Sequence, residues 1–109
     1  AAQQYCREAL ALFQQYADRT AEASTWHSLG YAHHQAGEHT EAIACYQTAL
    51  RLMHANGDRY GTATVLTDLG DTHHRTGDDL TARTTWSEAL AILTELDHPD
   101  ADTVRAKLE

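Results

Sequence analysis

The sequence matches itself when it is shifted by forty residues, and that feature constrains the fold most. Asp18 and Arg19 meet Asp58 and Arg59, Leu29 and Gly30 meet Leu69 and Gly70, and His33 and His34 meet His73 and His74. Gly37 meets Gly77 and Ala42 meets Ala82, while Ala9-Leu10 returns as Ala49-Leu50 and again as Ala89-Leu90. The final stretch joins at a shift of 39, with Val104 on Val65 and Leu108 on Leu69. A unit of this length cannot bury its apolar face alone, so the period predicts a stacked array.

Helical punctuation falls twice in each period. Ala36-Gly37-Glu38 and Thr76-Gly77-Asp78 place a glycine where a helix can end in the left-handed conformation, with polar residues behind it to cap the next helix. Asn56-Gly57-Asp58 and Asp97-His98-Pro99-Asp100 repeat the signal, and Pro99 suits a first helical turn, where its missing N–H is no loss. Six helices are expected, over 2–16, 20–36, 40–56, 60–76, 80–96 and 100–108. The complete ones should be on the order of 24 Å long. Ala, Leu, Glu and Gln are frequent and there is one proline, which favours helix almost throughout.

Apolar residues follow the helical period. Trp26, Leu29, Ala32 and His33 share a face, and Leu66, Leu69 and His73 repeat it. Ala42, Cys45, Tyr46, Ala49, Leu52 and Met53 form a second stripe in steps of three and four. Gly30 and Gly70 lie inside otherwise good helices, where each costs ~1 kcal/mol relative to Ala. Their recurrence at one place predicts a neighbouring helix packed against bare backbone.

These residues resemble the tetratricopeptide repeat, whose signature runs Trp-x2-Leu-Gly-x2-Tyr, then Ala, an aromatic, and Ala. The first unit, 20–56, reads Trp26, Leu29, Gly30, His33, Gly37, Ala42, Tyr46, Ala49; the second, 60–96, reads Leu66, Leu69, Gly70, His73, Gly77, Ala82, Trp86, Ala89. The resemblance implies an all-α, right-handed superhelix of antiparallel helical hairpins forming one domain over 1–109. Segment 2–16 is then the second helix of a preceding repeat and 100–108 the first helix of a following or capping one. His33 and His73 stand where the signature has Tyr, and His54 and Thr94 where it has Pro. Each unit is roughly 6 residues longer than the 34-residue standard, an excess expected to lengthen the helices rather than the turns. The long unit, the Gly-Asp turns and the His-Pro-Asp-Ala-Asp ending are similar to the C-terminal repeats of certain actinobacterial transcriptional regulators. Those proteins join a DNA-binding domain and a nucleotide-binding switch domain of the NB-ARC type to a tetratricopeptide sensor.

Charge narrows the partners. Eight Lys and Arg against sixteen Asp and Glu give a net charge of −8. An acidic chain lacks the basic surface that nucleic acid or an anionic membrane needs. No apolar run is long enough to span a bilayer, and no signal segment opens the chain. The pattern starts in mid-unit, so the chain is expected to be a piece of a longer array. Leu10, Leu12, Phe13 and Tyr16 would then face a missing neighbour and favour self-association. Cys6 and Cys45 are too few for a disulfide framework and fit buried, reduced thiols in a cytoplasmic protein.

Eight histidines invite a metal reading. Adjacent residues on a helix point about 100° apart, and the i, i+4 spacing that suits one ion occurs nowhere among them. A zinc site would need His34 and His74 to converge with carboxylate help. His33 and His73 take core positions and are expected as packed rings with one hydrogen bond. No nucleophile elbow or Gly-rich phosphate loop is present, so neither catalysis nor a cofactor is indicated. Glu38, Glu41, Asp78 and Asp79 are expected to cap helix N-termini, where negative charge is favourable. By resemblance, first helices line a binding groove, here Ser24, His27, Ser28, Tyr31, His34 and Gln35, then Thr64, Thr67, Asp68, Asp71, His74 and Arg75. Repeats that grip the C-terminal carboxylate of chaperones use Lys, Asn and Arg at such places; Asp68 and Asp71 oppose that role. The chain therefore reads as a non-catalytic module for a protein or peptide segment, or for another domain of its own polypeptide. A histidine-based metal or pH response stands second and an enzyme last.

Overall fold

The computed structural model describes the backbone of residues 2–15 and 18–109 and the side chains of 2–12 and 18–109. Among the described residues six helices follow one another: α1 (Ala2–Gln15), α2 (Arg19–Gln35), α3 (His39–Ala55), α4 (Arg59–Arg75), α5 (Asp79–Glu95) and α6 (Asp100–Leu108). All starts and ends agree with the sequence expectation to within one residue. The helices α2 to α5 each run 17 residues. Only three residues, 36–38 and 76–78, join the helices of each hairpin. The length beyond a standard repeat therefore lies in the helices.

The ends are built from local chemistry. Gly37, Gly57 and Gly77 carry positive φ, and so does Asp97 at the equivalent place before α6. At the end of α2 the Glu38 N–H reaches His33 O at 2.9 Å and the Gly37 N–H reaches His34 O at 3.0 Å, and the pattern returns at 77–78 and 97–98. These paired bonds satisfy carbonyls that a helix end leaves open. Asp18, Asp58 and Asp78 each accept a backbone N–H from the first turn of the following helix, at 3.0, 2.8 and 3.2 Å. Glu38 occupies the same position before α3 but makes no side-chain cap, which corrects the expectation for that residue.

The chain divides into two compact units, 1–57 and 58–109. In the first, α2 packs on α3 and α1 packs on α2; in the second, α4 packs on α5 and α5 on α6. Ala23, Leu29, Ala42, Cys45, Tyr46, Ala49 and Met53 are buried in unit 1, joined by Cys6 and Leu10 of α1. Leu10 thus lies in the core rather than on an open face, whereas Leu12 and Tyr5 are exposed. Phe13 and Tyr16 lie outside the described side chains. Unit 2 buries Ala63, Val65, Leu66, Leu69, Ala82, Trp86, Ala89 and Leu93, with Ala101 and Val104 from α6. Threonines inside these helices return their hydroxyl protons to the carbonyl four residues back, so buried Thr72 and Thr85 carry no unmet donor.

Each hairpin closes on a glycine. A Cβ at Gly30 would sit 2.6 Å from Cδ1 of Tyr46, and one at Gly70 would sit 2.4 Å from Cδ1 of Trp86. Both rings are buried. The helix-propensity gain from replacing glycine, ~1 kcal/mol, cannot offset a ring held inside a close-packed seam. Gly30→Leu and Gly70→Leu should each lower stability by roughly 1–3 kcal/mol in urea denaturation. An unchanged midpoint for either variant would contradict the seam.

Candidate functional site

The face expected from the first helix of unit 1 divides in two. Ser24, Ser28, Tyr31 and Gln35 are exposed and follow one another at steps of four, three and four along α2. The Gln35 amide donates to the Tyr31 hydroxyl at 3.1 Å, which steadies a ring that is 51% exposed. His27 and His34 are partly buried instead and turn toward α3. The His27 ring meets Tyr46 edge-on at 5.9 Å, and His34 meets His39 at 5.6 Å. Both histidines therefore belong to the hairpin as much as to the outer face.

In unit 2, Thr64, Thr67, Asp68 and Asp71 are partly buried and His74 and Arg75 exposed. Thr64 and Thr67 donate their hydroxyl protons to Tyr60 O and Ala63 O, at 3.0 and 2.9 Å. A hydroxyl has one proton and two lone pairs, so these two side chains offer acceptors outward. Asp71 is already engaged: its Oδ1 accepts from Trp86 Nε1 at 3.1 Å and stands 3.0 Å from Lys107 Nζ. His74 rests 5.6 Å from the Trp86 ring and pairs through Nδ1 with Asp79 Oδ1 at 2.9 Å. That pair is exposed on both sides and contributes little to stability. The sequence reading placed Asp71 and His74 on an open surface. The partners of Asp71 come from α5 and α6, fifteen or more positions away, and no local pattern announces them, whereas the ion partner of His74 lies five positions on at the start of α5.

Two further polar clusters were not anticipated. Glu38 accepts from His33 Nδ1 at 2.9 Å and from Gln3 of α1 at 2.6 Å, linking three helices of unit 1. His33 is buried with this one ring hydrogen bond, as its core position implied, while His73 is only partly buried, a milder placement than expected. In unit 2, Tyr60 donates to Asp100 Oδ2 at 2.8 Å and lies 4.6 Å from the His98 ring, tying the start of α4 to the start of α6. The Asp100 bond raises the Tyr60 hydroxyl above its ordinary value. Unit 1 also has a cleft of about 460 Å³ between α1, α2 and α3, lined by residues that include Trp26, Leu29 and Cys45. Burial holds the Cys45 thiol above its ordinary value, the direction of a protonated, unreactive sulfur. Among the described residues no three His, Cys, Asp or Glu side chains converge as metal ligands would, and no helix is long and apolar enough to cross a membrane.

The hydrogen bonds from His33 and then Gln3 hold the Glu38 carboxyl below its ordinary value. A carboxylate lowered in the folded state stabilises the fold above its unfolded pKa, and that contribution disappears as pH falls through the folded one. Glu38→Gln should therefore melt below the parent at neutral pH, with the gap closing once pH drops below about 4.3. Thermal melts between pH 7 and pH 3 test this, and a gap of constant size would contradict it.

The tetratricopeptide repeat family model matches the chain twice, over residues 1–55 and 21–95. No curated protein matches the chain. The two overlapping matches cover both glycine-seamed hairpins and the helix before them, and within each unit consecutive helices pack on one another as the repeat requires. The chain belongs to the tetratricopeptide repeat family.

Proposed function

We propose that this chain is the partner-holding part of a larger regulatory protein, such as a cytoplasmic transcriptional regulator, and that its first helices carry the contact surface. Repeats of this family act as protein–protein interaction modules and are typically not catalytic. The observation that carries the reading is the exposed strip of α2, a solvent-facing aromatic ring steadied by its own helix and flanked by small polar side chains. Tyr and Arg dominate binding energy at interfaces because each buries much area while keeping a directional polar group. Tyr31 supplies the aromatic anchor in unit 1, and exposed Arg75 supplies the charged one in unit 2.

The acceptors of Thr64 and Thr67 and the carboxylates of Asp68 and Asp71 favour a partner that donates hydrogen bonds. Each first helix is already ordered, which leaves most of the ordering cost to the partner, as when an extended or helical peptide docks. The regulatory setting draws on the long repeat unit and on the His-Pro-Asp-Ala-Asp stretch at 98–102. A segment of a separate protein is the occupant favoured here, and a neighbouring domain of the same polypeptide is its competitor.

Given a partner captured by pull-down, the double change Tyr31→Ala with Arg75→Ala should weaken binding at least tenfold, equivalent to about 1.4 kcal/mol. Helical circular dichroism should stay intact. Normal binding by the double variant, together with loss on changing exposed residues of α3 and α5 such as Gln47 and Glu88, would move the surface to the second helices.

A further inference from the structure

We propose that Asp71 and Trp86 form a seat for a basic side chain of a partner protein, and that Lys107 of the same chain holds the seat until a partner arrives. The inference rests on α4 being a partner surface and names the chemistry that surface accepts.

The seat has two parts. The Trp86 indole N–H is shared between Thr67 O at 3.2 Å and Asp71 Oδ1 at 3.1 Å. A neutral N–H donor orients a carboxylate without cancelling its charge. The Asp71 side chain is only 34% exposed, so its charge acts in a medium of lower effective dielectric than bulk water and attracts a cation more strongly. Lys107 supplies that cation: its ammonium lies 3.0 Å from Asp71 Oδ1 and 5.8 Å from the centroid of the Trp86 ring. That distance is inside the roughly 6 Å over which an aromatic face attracts an ammonium. A hydrogen-bonded carboxylate beside an aromatic face thus already holds a primary ammonium.

The occupant is held in a way that permits exchange. The Lys107 side chain is 30% exposed, so water and a competing ammonium can reach it without unfolding. Arg83 donates to Leu108 O at 2.8 Å, so the end of α6 keeps a second anchor when the lysine lets go. Lys107 is the single lysine of the chain, and the net charge of −8 draws basic partners toward a surface with this acceptor. A tethered lysine competes at high effective concentration, so it screens out weak basic ligands and sets a threshold for a partner.

The probe is the peptide acetyl-Gly-Gly-Lys-Gly-Gly-amide, titrated into the full chain while the indole N–H resonance of Trp86 is followed. Lys107→Met keeps the aliphatic stem and removes the resident ammonium, and it should bind the peptide at least fivefold more tightly than the parent, with the Trp86 signal shifting. Arg105→Met makes the same change in net charge on the same helix and should bind as the parent does. Asp71→Asn added to Lys107→Met keeps an acceptor for Trp86 but removes the charge, and it should abolish the gain. Circular dichroism confirms that each variant is folded. The seat is overturned if Lys107→Met binds no tighter than the parent, if Arg105→Met gains as much, or if the gain survives Asp71→Asn. In each of those outcomes a partner that still requires Tyr31 and Arg75 would leave the helix-face reading standing.

Discussion

Both units depend on the absence of a side chain. Gly30 and Gly70 let an aromatic ring from the second helix of each hairpin lie against the backbone of the first, closer than any Cβ could allow. Glycine in mid-helix carries a propensity cost of ~1 kcal/mol, and each hairpin more than recovers it by burying a ring. Tyr46 and Trp86 are the largest buried side chains of their hairpins, and aromatic rings dominate the energetics of such cores. Small residues around the seam (Ala23, Ala42 and Ala49 in unit 1, Ala63, Ala82 and Ala89 in unit 2) are fully buried and let the helices approach.

The seam also decides what each first helix can show outward. With Leu29, Gly30 and His33 committed to the interior, the helical period leaves Ser24, Ser28, Tyr31 and Gln35 on the other side. The ring packed on Gly70 carries an indole N–H, and that donor draws Asp71 and through it Lys107 into one cluster. Unit 1 has no counterpart, because Tyr31 stands forty residues before Asp71 and Tyr46 before Trp86. One architecture therefore carries two different surfaces, an aromatic strip on α2 and an acidic, cation-holding one on α4.

Much of the fold was legible because it is written in local chemistry repeated at a fixed period. The glycines of positive φ and the capping aspartates mark helix ends without reference to anything distant. The seam was legible for a different reason: a glycine recurring where a helix penalises it requires a tertiary cause. The site was less legible, since its partners are set by packing between helices. Asp71 reads from sequence as an exposed acid, yet its neighbours are Trp86 and Lys107. Glu38 reads as a cap, yet it turns to His33 and Gln3 because two donors converge there. His34 and His74 look equivalent, but the residue five positions on is His39 in one unit and Asp79 in the other, and their surroundings diverge.

The claim that an aromatic ring seated on bare backbone closes each hairpin is tested most directly by a double-mutant cycle on Gly30 and Tyr46. In the parent, Gly30→Ala adds a methyl 2.6 Å from the Tyr46 ring and should destabilise the chain despite better helix propensity. In a Tyr46→Leu background the ring is gone, and the same alanine should stabilise by up to ~1 kcal/mol, the propensity difference alone. Urea denaturation of the four proteins gives the coupling. A reversal of sign between the two backgrounds is the predicted result, and an alanine effect of equal size and sign in both would contradict the account.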